Sequence, residues 1–284
     1  MWPLDPPGHS ARDSYELCIS LTKEMGEQKR HSRLIAAADA VHTAGEDFRT
    51  AAADQTLHTL EPEKFQIPGF SNEERPVSWI YQNGMVAGPG RSIYNQLMSA
   101  PEHERCPLCG HGIVSQLDHF LPKSSYPALC VDPLNLIPAC PDCNKAKSDK
   151  RAASLEELPL HPYLDRIDGQ GWLDAKVVHE DGSVRLEFFV SPPLDWDQVL
   201  AARTQNHFKL FGLRRTYAVQ ANRFIGEIRG QLPELLDSGG TDSVRDHLRT
   251  GATSSLSKRP NSWMGVTYRA LANDALFCQG AFGV

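Results

Sequence analysis

Four cysteines in two Cys-x-x-Cys pairs are the residues whose types and spacing most strongly indicate chemistry. Cys106 and Cys109 form the first pair, and Cys140 and Cys143 form the second. Each spacing lets one tight turn deliver two sulfur ligands, and four thiolates suit a closed tetrahedral zinc site. A redox motif would need only one such pair. We therefore predict a structural Zn²⁺ with no open coordination position, so that any catalysis must use other residues.

Oxygen and nitrogen donors lie between these pairs and just after them. The stretch "IVSQLDHFLP" predicts a strand that ends at Pro122, with Asp118 and His119 starting out on opposite faces. Asn144 directly follows the last cysteine on a predicted short helix, with Pro141 in its first turn, where proline is tolerated. The zinc would hold this helix against the base of the β-hairpin that contains the predicted strand, with Asn144 opposite Asp118. Two such oxygen donors, with waters and phosphate oxygens, suit Mg²⁺.

Taken together, these residues resemble an HNH endonuclease of the ββα-metal (His-Me finger) class, in the subgroup that carries zinc on two cysteine pairs. The stretches "LDHFLPKS" and "NLIPACPDCNKAKSD" carry the match together with both cysteine pairs. The signature positions are Asp118-His119, Asn135 and Asn144. The first is Asp and the last is Asn where other members have His, and both variants occur in the family. The resemblance implies an α+β fold with a central ββα-metal module.

The resemblance also implies a role for each residue. His119 is the general base that takes a proton from the attacking water. Asp118 and Asn144 hold one catalytic Mg²⁺ or Mn²⁺, which stabilises charge on the phosphorane and on the leaving 3′ oxygen. Asn135 orients the loop after the first strand and, through it, the His119 ring. Three lysines are expected to contact phosphates: Lys123, Lys145 and Lys147.

The implied activity is metal-dependent hydrolysis of DNA that leaves 5′-phosphate and 3′-hydroxyl ends. Two other functions stay open. One is a zinc-stabilised nucleic-acid-binding or adaptor module without catalysis, and the other is an RNA-directed nuclease toxin. Retention of Asp118, His119 and Asn144 at this spacing favours the enzyme, because a module without catalysis has no reason to keep all three.

The composition limits how the chain can hold DNA. Its formal net charge is −6, whereas a protein whose main role is holding DNA is usually basic. Contact with DNA must therefore use a local basic patch and be sensitive to salt. No apolar run has the roughly 20 residues that a membrane span needs, and the N-terminal stretch lacks a signal peptide's apolar block. We expect a cytoplasmic protein with no membrane association.

The surrounding elements divide into three predicted regions. These are a helical N-terminal region (1–90), the HNH nuclease module (91–160) and an α+β C-terminal region (161–284), which has a hairpin followed by helices. Residues 11–60 are predicted to be helical, with one apolar stripe formed by Leu34, Ala38, Val41, Gly45, Phe48 and Ala52.

The C-terminal region has clear local signals. "WLDAKVVHEDGSVRLEFFV" alternates on both sides of Asp181-Gly182, which predicts a β-hairpin. Two helices with a break at Gly212 should follow. The inner stripe of the second is predicted to be Tyr217, Ala221, Ile225, Ile228 and Leu232. Basic residues remain for its other faces, where they suit either a solvated surface or nucleic acid: Arg214, Arg215, Arg223 and Arg229.

The flanking regions resemble those of bacterial HNH proteins from anti-phage defence. An unregulated nuclease would damage its own cell, and well over half of the chain lies outside the nuclease module. We therefore expect the flanks to dock a regulatory partner, such as an ATPase or another sensor of the same defence system, or a second copy of the chain.

Overall fold

The computed structural model of the chain describes residues 1–21, 30–71, 74, 76–167 and 169–283. It shows an α+β protein, as the sequence predicts, in two compact units: unit 1 is Met1–Arg166 and unit 2 is Ile167–Val284. The regions predicted at 1–90 and 91–160 both lie in unit 1. Residues 161–166, which the sequence pattern places in the C-terminal region, also belong to unit 1.

The contacts of residues 161–166 explain this boundary. The Tyr163 hydroxyl donates to the backbone oxygen of Leu136 at 3.1 Å. The ring of His161 packs on that of Phe120, with their centroids 4.3 Å apart. These residues therefore complete the core of unit 1.

Helices form the first part of unit 1: α1 (Ala11–Ile19), α2 (Arg30–Ala36) and α3 (Ala38–Ala53). Helix α1 begins with a capping box, in which Ser10 and Asp13 each accept from the other's backbone N–H. The predicted helical segment 11–60 falls partly on residues 22–29, which lie outside the described residues. It ends early, at Ala53, because Gln55 takes a left-handed conformation with φ 59°.

The predicted apolar stripe of this segment is largely confirmed. All of its members are buried except Ala52, which is half-buried, while Ala51 takes its place in the core. Single turns of 3₁₀ helix follow at Leu57–Thr59 and Pro62–Phe65. The chain then continues through helix α4 (Pro76–Trp79), a π-helical segment (Ile80–Val86), helix α5 (Arg91–Ser99) and a 3₁₀ turn (Glu102–Glu104).

Two short strands and a helix follow. Strands β1 (Gln116–His119) and β2 (Leu136–Ala139) are antiparallel, and α6 (Pro141–Lys147) comes directly after β2. Strand β1 ends at His119 rather than at Pro122, and the loop between the strands contains 3₁₀ turns at Pro127–Leu129 and Pro133–Asn135. Helix α5 packs on both strands, so the hairpin is supported by the helical part of the same unit.

Unit 2 contains the predicted hairpin, which the structure confirms. Strands β3 (Leu173–Glu180) and β4 (Ser183–Val190) are joined by Asp181 and Gly182, whose φ values of 47° and 77° are both positive. Positive φ at both central residues is what a two-residue type I′ turn requires. Leu186 and Phe188 are buried on one side of β4.

The remaining helices of unit 2 are α7 (Gln198–Leu210), α8 (Leu213–Ile228), α9 (Leu232–Lys258), α10 (Trp263–Asn273) and α11 (Ala275–Cys278). The predicted break at Gly212 is confirmed, with φ 61° at that residue. The predicted stripe is buried, but Leu232 begins α9 instead of continuing α8. Helix α8 packs on β4 and α10 packs on β3. Among the described residues, no helix combines the length and the apolar character needed to cross a lipid bilayer.

Candidate active site

The four cysteines of the two pairs meet in one buried cluster. Their Sγ atoms all lie within 4.8 Å of one another, and those of Cys109 and Cys140 are 3.9 Å apart. With Zn–S bonds of about 2.3 Å, sulfur atoms at the corners of a tetrahedron are about 3.8 Å apart. The cluster can therefore hold a metal ion, and its donor set is compatible with structural zinc.

Local backbone geometry brings the first pair into position. The N–H of Gly110 donates to the oxygen of Cys106 at 2.7 Å, and the N–H of Cys106 donates to the oxygen of Gly112 at 2.8 Å. Gly112 also donates its N–H to Cys109 Sγ at 3.3 Å. A Cβ atom at Gly112 would lie 2.7 Å from Cys140 Sγ. Only glycine therefore fits where the first pair approaches the second.

The second pair joins helix α6 to this turn. Cys140 is the N-cap of α6, and Cys143 lies in its first turn, after Pro141 at the start of the helix. Both cysteines are buried. The cluster consequently ties the N-terminal end of α6 to the turn that precedes β1.

Asp118 lies on β1 and is 6% exposed. The Lys147 ammonium is 3.4 Å from its Oδ1 and 3.2 Å from its Oδ2, and donates to the backbone oxygen of His119 at 2.6 Å. Burial raises the pKa of the Asp118 carboxyl to about 6, although Lys147 acts in the opposite direction. Oδ2 is buried at ion-pair distance from Lys147, but no described residue forms a hydrogen bond with it. An incompletely satisfied buried carboxylate oxygen is what a divalent cation could complete.

His119 is 7% exposed, and its Nε2 lies 2.9 Å from the backbone oxygen of Cys130. A carbonyl oxygen only accepts, so Nε2 carries the hydrogen and Nδ1 carries the lone pair. Burial, with Lys123 nearby, lowers the pKa of His119 to about 3, so the imidazole is neutral at pH 7. A phosphate anion beside the ring would raise this pKa. The ring is thus oriented as a proton acceptor at Nδ1.

Asn135 is fully buried at the end of the loop between the strands. Its Oδ1 accepts from the N–H of Leu121 at 2.7 Å. Its Nδ2 donates to the oxygens of Leu121 at 3.1 Å and Leu129 at 3.2 Å. Leu129 is next to Cys130, whose oxygen accepts from His119. Asn135 therefore holds both sides of the loop that orients the His119 ring.

Asn144 is half-buried on α6, one turn before Lys147, so the two side chains share one side of the helix. Since Lys147 reaches Asp118 on β1, this side of α6 faces the strand. Asn144 consequently lies on the side of α6 that faces β1.

The three predicted phosphate-binding lysines occupy different environments. Lys145 is exposed. Lys123 is half-buried, with its ammonium 4.6 Å from the centroid of the Tyr81 ring. The same ring packs edge-on against His119 at 4.8 Å between centroids. Lys123 therefore places a positive charge close to the imidazole.

Lys147 differs from its prediction, because it is 7% exposed and paired with Asp118. It comes four residues after Cys143, and this spacing repeats on one face of a helix. With Cys143 turned into the cluster, Lys147 must also turn inward. The spacing from Cys143 is visible in the sequence and indicates that Lys147 turns inward. In contrast, no local sequence pattern indicates that Tyr81, from the distant π-helical segment, packs against His119.

The buried pair gives a testable expectation. Replacing Lys147 with Met should lower the free energy of unfolding by about 3 kcal/mol, because Asp118 then stays buried without its countercharge. The pKa of Asp118 should rise further, so the loss should be larger at pH 8 than at pH 5, where the carboxyl takes up a proton. Urea unfolding at both pH values, with zinc present and no other divalent cation added, measures this loss.

A double-mutant cycle provides the control. On an Asp118→Asn background there is no charge to leave unpaired, so Lys147→Met should cost less than it does in the wild-type chain. Equal costs on the two backgrounds would show that the ion pair carries no coupling energy.

Comparisons with known proteins add one relative. No protein-family model matches the chain, and no solved structure matches it. The chain is 28% identical over 239 residues to Protein ea31 of Escherichia phage lambda, across 78% of this chain and 79% of that protein. Neither unit alone amounts to 78% of the chain, so the similarity extends into both units. The name of the phage protein states no activity.

Proposed function

We propose that this protein is a metal-dependent endonuclease of the HNH class that hydrolyses phosphodiester bonds in DNA. The observation that carries the proposal is that two suitable groups lie side by side in the sequence at the end of β1. His119 is a neutral imidazole with a fixed acceptor nitrogen, and Asp118 is a buried carboxylate with an incompletely satisfied oxygen. The element order β1, β2, α6 further supports the resemblance to the ββα-metal class, as does the cysteine cluster that joins the start of α6 to the turn before β1.

His119 would act as the general base. Its Nδ1 lone pair takes the proton of a water molecule that attacks phosphorus, while Nε2 keeps its hydrogen and donates it to the backbone oxygen of Cys130. The loop held by Asn135 fixes this orientation. Lys123, beside the ring, would contact an unesterified phosphate oxygen.

Asp118 Oδ2 and the amide oxygen of Asn144 would hold one Mg²⁺ or Mn²⁺. Such an ion, when bound, stabilises negative charge on the phosphate and on the leaving 3′ oxygen. Lys147, whose ammonium lies 3.4 Å from Oδ1 and 3.2 Å from Oδ2, keeps the Asp118 carboxylate in place while it donates to the backbone oxygen of His119. The four cysteines would hold a structural Zn²⁺ that keeps α6, and thus Asn144, against β1.

Two observations favour a second candidate, a zinc-stabilised nucleic-acid-binding or adaptor module without catalysis. Lys147 already neutralises Asp118, and only 7% of His119 is exposed. In such a module the ion pair would be permanent, and no divalent cation would enter. Measuring the binding of Mn²⁺ to the zinc-loaded chain separates the two candidates, since only the nuclease needs this site.

The proposal is tested by incubating the purified chain with supercoiled plasmid and Mg²⁺ or Mn²⁺. We expect nicked or linear products with 5′-phosphate and 3′-hydroxyl ends, which DNA ligase can rejoin. Asp118→Asn is the control, because it removes a charged ligand while keeping the shape of the side chain. Absence of cleavage over a range of both metals, even at high protein concentration and low salt, where no partner is needed to bring the chain onto DNA, would contradict the proposal. Cleavage of RNA alone would assign the activity to RNA.

We also propose that the protein works in the cytoplasm as a regulated effector of bacterial anti-phage defence. Its charge supports the regulation: the net −6 arises in unit 1, because acidic and basic residues balance in unit 2. Because unit 1 carries the candidate active site and would repel DNA, efficient cleavage by dilute protein at about 0.15 M salt would depend on a partner, such as an ATPase, another sensor or a second copy of the chain, to deliver the substrate. Cleavage by the isolated chain at low nanomolar concentration and about 0.15 M salt would contradict this dependence.

A further inference from the structure

Positive charge is concentrated on the helix pair α7 and α8. Between Gln198 and Ile228 the chain has five basic residues and one acidic residue. They are Arg203, Lys209, Arg214, Arg215 and Arg223, with Glu227 as the acidic one. This excess stands out in a chain whose net charge is −6.

The five basic residues fall into two groups. Arg203 is buried, and Arg223 pairs with Glu227 one turn further along α8 at 3.1 Å. In contrast, Lys209, Arg214 and Arg215 are exposed. In the part of the chain that the structure describes, none of these three cations forms an ion pair. The cations that are free to bind an anion are therefore those nearest the turn between the two helices.

These three cations line one groove of about 580 Å³ between β4, α7 and α8. Leu186, Phe208 and Ala218 also line the groove and are apolar. The acidic side chain in its lining, Glu187, already pairs with Lys176 at 2.9 Å and Arg185 at 2.6 Å. The groove thus presents free positive charge over an apolar surface.

The turn at Gly212 adds backbone donors. Gly212 precedes α8 with φ 61°, and the first N–H groups of a helix have no acceptor within it. The positive end of the helix dipole lies at the same place. Arg214 and Arg215 are in this first turn, and Lys209 is at the end of α7. Side-chain and backbone donors therefore converge on one end of the groove.

We propose that this groove binds the phosphate backbone of DNA. The charge complementarity selects a polyanion, and the apolar surface suits the sugar faces between successive phosphates. The choice of DNA rests on the proposed function, whereas the placement of the site rests on the groove itself. The groove supplies the local basic patch that an acidic chain needs to hold nucleic acid.

The test uses the full wild-type chain, loaded with zinc, in buffer without other divalent cations, so that no DNA is cut. Fluorescence anisotropy with a labelled 20-base-pair duplex gives the dissociation constant over a series of salt concentrations. The test variant is the triple substitution Lys209→Gln, Arg214→Gln and Arg215→Gln. Arg223→Gln, on the same helix but already ion-paired, is the matched control, and circular dichroism checks that both variants are folded.

We expect the triple variant to bind DNA at least tenfold more weakly at 0.1 M salt. The slope of log affinity against log salt should fall by about 2 to 3, since each lost phosphate contact removes about 0.9. Arg223→Gln should change neither quantity. Unchanged binding by the triple variant, an equal loss with Arg223→Gln, or no DNA binding by the wild-type chain would each overturn the proposal. In the last case an acidic protein segment would become the candidate occupant.

The DNA-binding measurements do not depend on whether the chain cleaves DNA, so the groove and the proposed function can fail separately. If the wild-type chain cuts plasmid but the triple variant binds DNA normally, the groove assignment fails and the proposed function stands. If the wild-type chain does not cut even at high protein concentration and low salt, but the triple variant loses binding, the groove assignment stands and the nuclease fails.

Discussion

Replacing His119 with alanine is expected to lower the rate of plasmid cleavage by about 10²–10⁴-fold, because the attacking water then loses its general base. The zinc content should be unchanged, since His119 lies outside the four-cysteine cluster. The ring is oriented by one hydrogen bond to Cys130, so its loss should affect catalysis far more than folding. Single-turnover cleavage with saturating metal measures the effect on the chemical step.

A histidine elsewhere in unit 1 provides the control. His42 is exposed on α3, and alanine is the residue that best favours a helix. His42→Ala should therefore cut DNA at the wild-type rate. A His119→Ala variant that does the same would contradict the assignment of His119 as the base. Loss of zinc or of helical signal in His119→Ala would mean that the histidine acts through the fold instead.

The parts of this fold that the sequence predicted are those specified by local chemistry. The β3–β4 turn follows from Asp181-Gly182, because few residues accept positive φ at both positions. The cysteine cluster follows from the x-x spacing, which limits each pair to one turn. Likewise, Gly212 marks a helix break because its left-handed conformation suits glycine. Each of these signals depends on neighbours within a few residues.

The parts that the sequence did not predict depend on residues far apart in the chain. Lys147 and Asp118 are 29 residues apart, and their contact requires the rotation of α6 that the cysteines impose. The hydrogen bond from His119 requires the loop to bring the Cys130 oxygen back to β1. The boundary after Arg166 depends on Tyr163 reaching Leu136. Spacing from Cys143 indicates that Lys147 turns inward, but it does not identify the group that Lys147 meets, and only the folded chain defines the geometry of these contacts.

In the candidate site, too, local sequence predicts some features, and contacts between distant residues determine the others. The residue types at Asp118, His119, Asn135 and Asn144 indicated a function, but the sequence could not assign the imidazole tautomer. That assignment comes from the acceptor at Cys130. The spacing from Cys143 indicates that Lys147, unlike Lys145, turns inward, but the sequence could not show that the carboxyl of Asp118 is the group that Lys147 meets.

Replacing Cys140 with serine is expected to have the largest effect on stability. Zinc binding contributes about 10–16 kcal/mol to folding in small zinc modules, and serine is a poor substitute for a thiolate ligand. Elemental analysis should find about one zinc per wild-type chain and much less in the variant. The thermal unfolding midpoint should fall, and cleavage should be lost as a consequence, because α6 would no longer hold Asn144 and Lys147 against β1.

Cys278 allows this effect to be separated from the loss of a buried thiol. It is buried in α11, outside the cluster, and its Sγ lies 3.5 Å from the backbone oxygen of Leu271, an acceptor that a serine hydroxyl can also use. Cys278→Ser should therefore keep its zinc and cleave DNA at the wild-type rate. If Cys140→Ser is folded, free of zinc and still active, the cluster does not position the active site. If both variants lose stability equally while zinc is retained, the thiols contribute through packing, and the metal assignment is wrong.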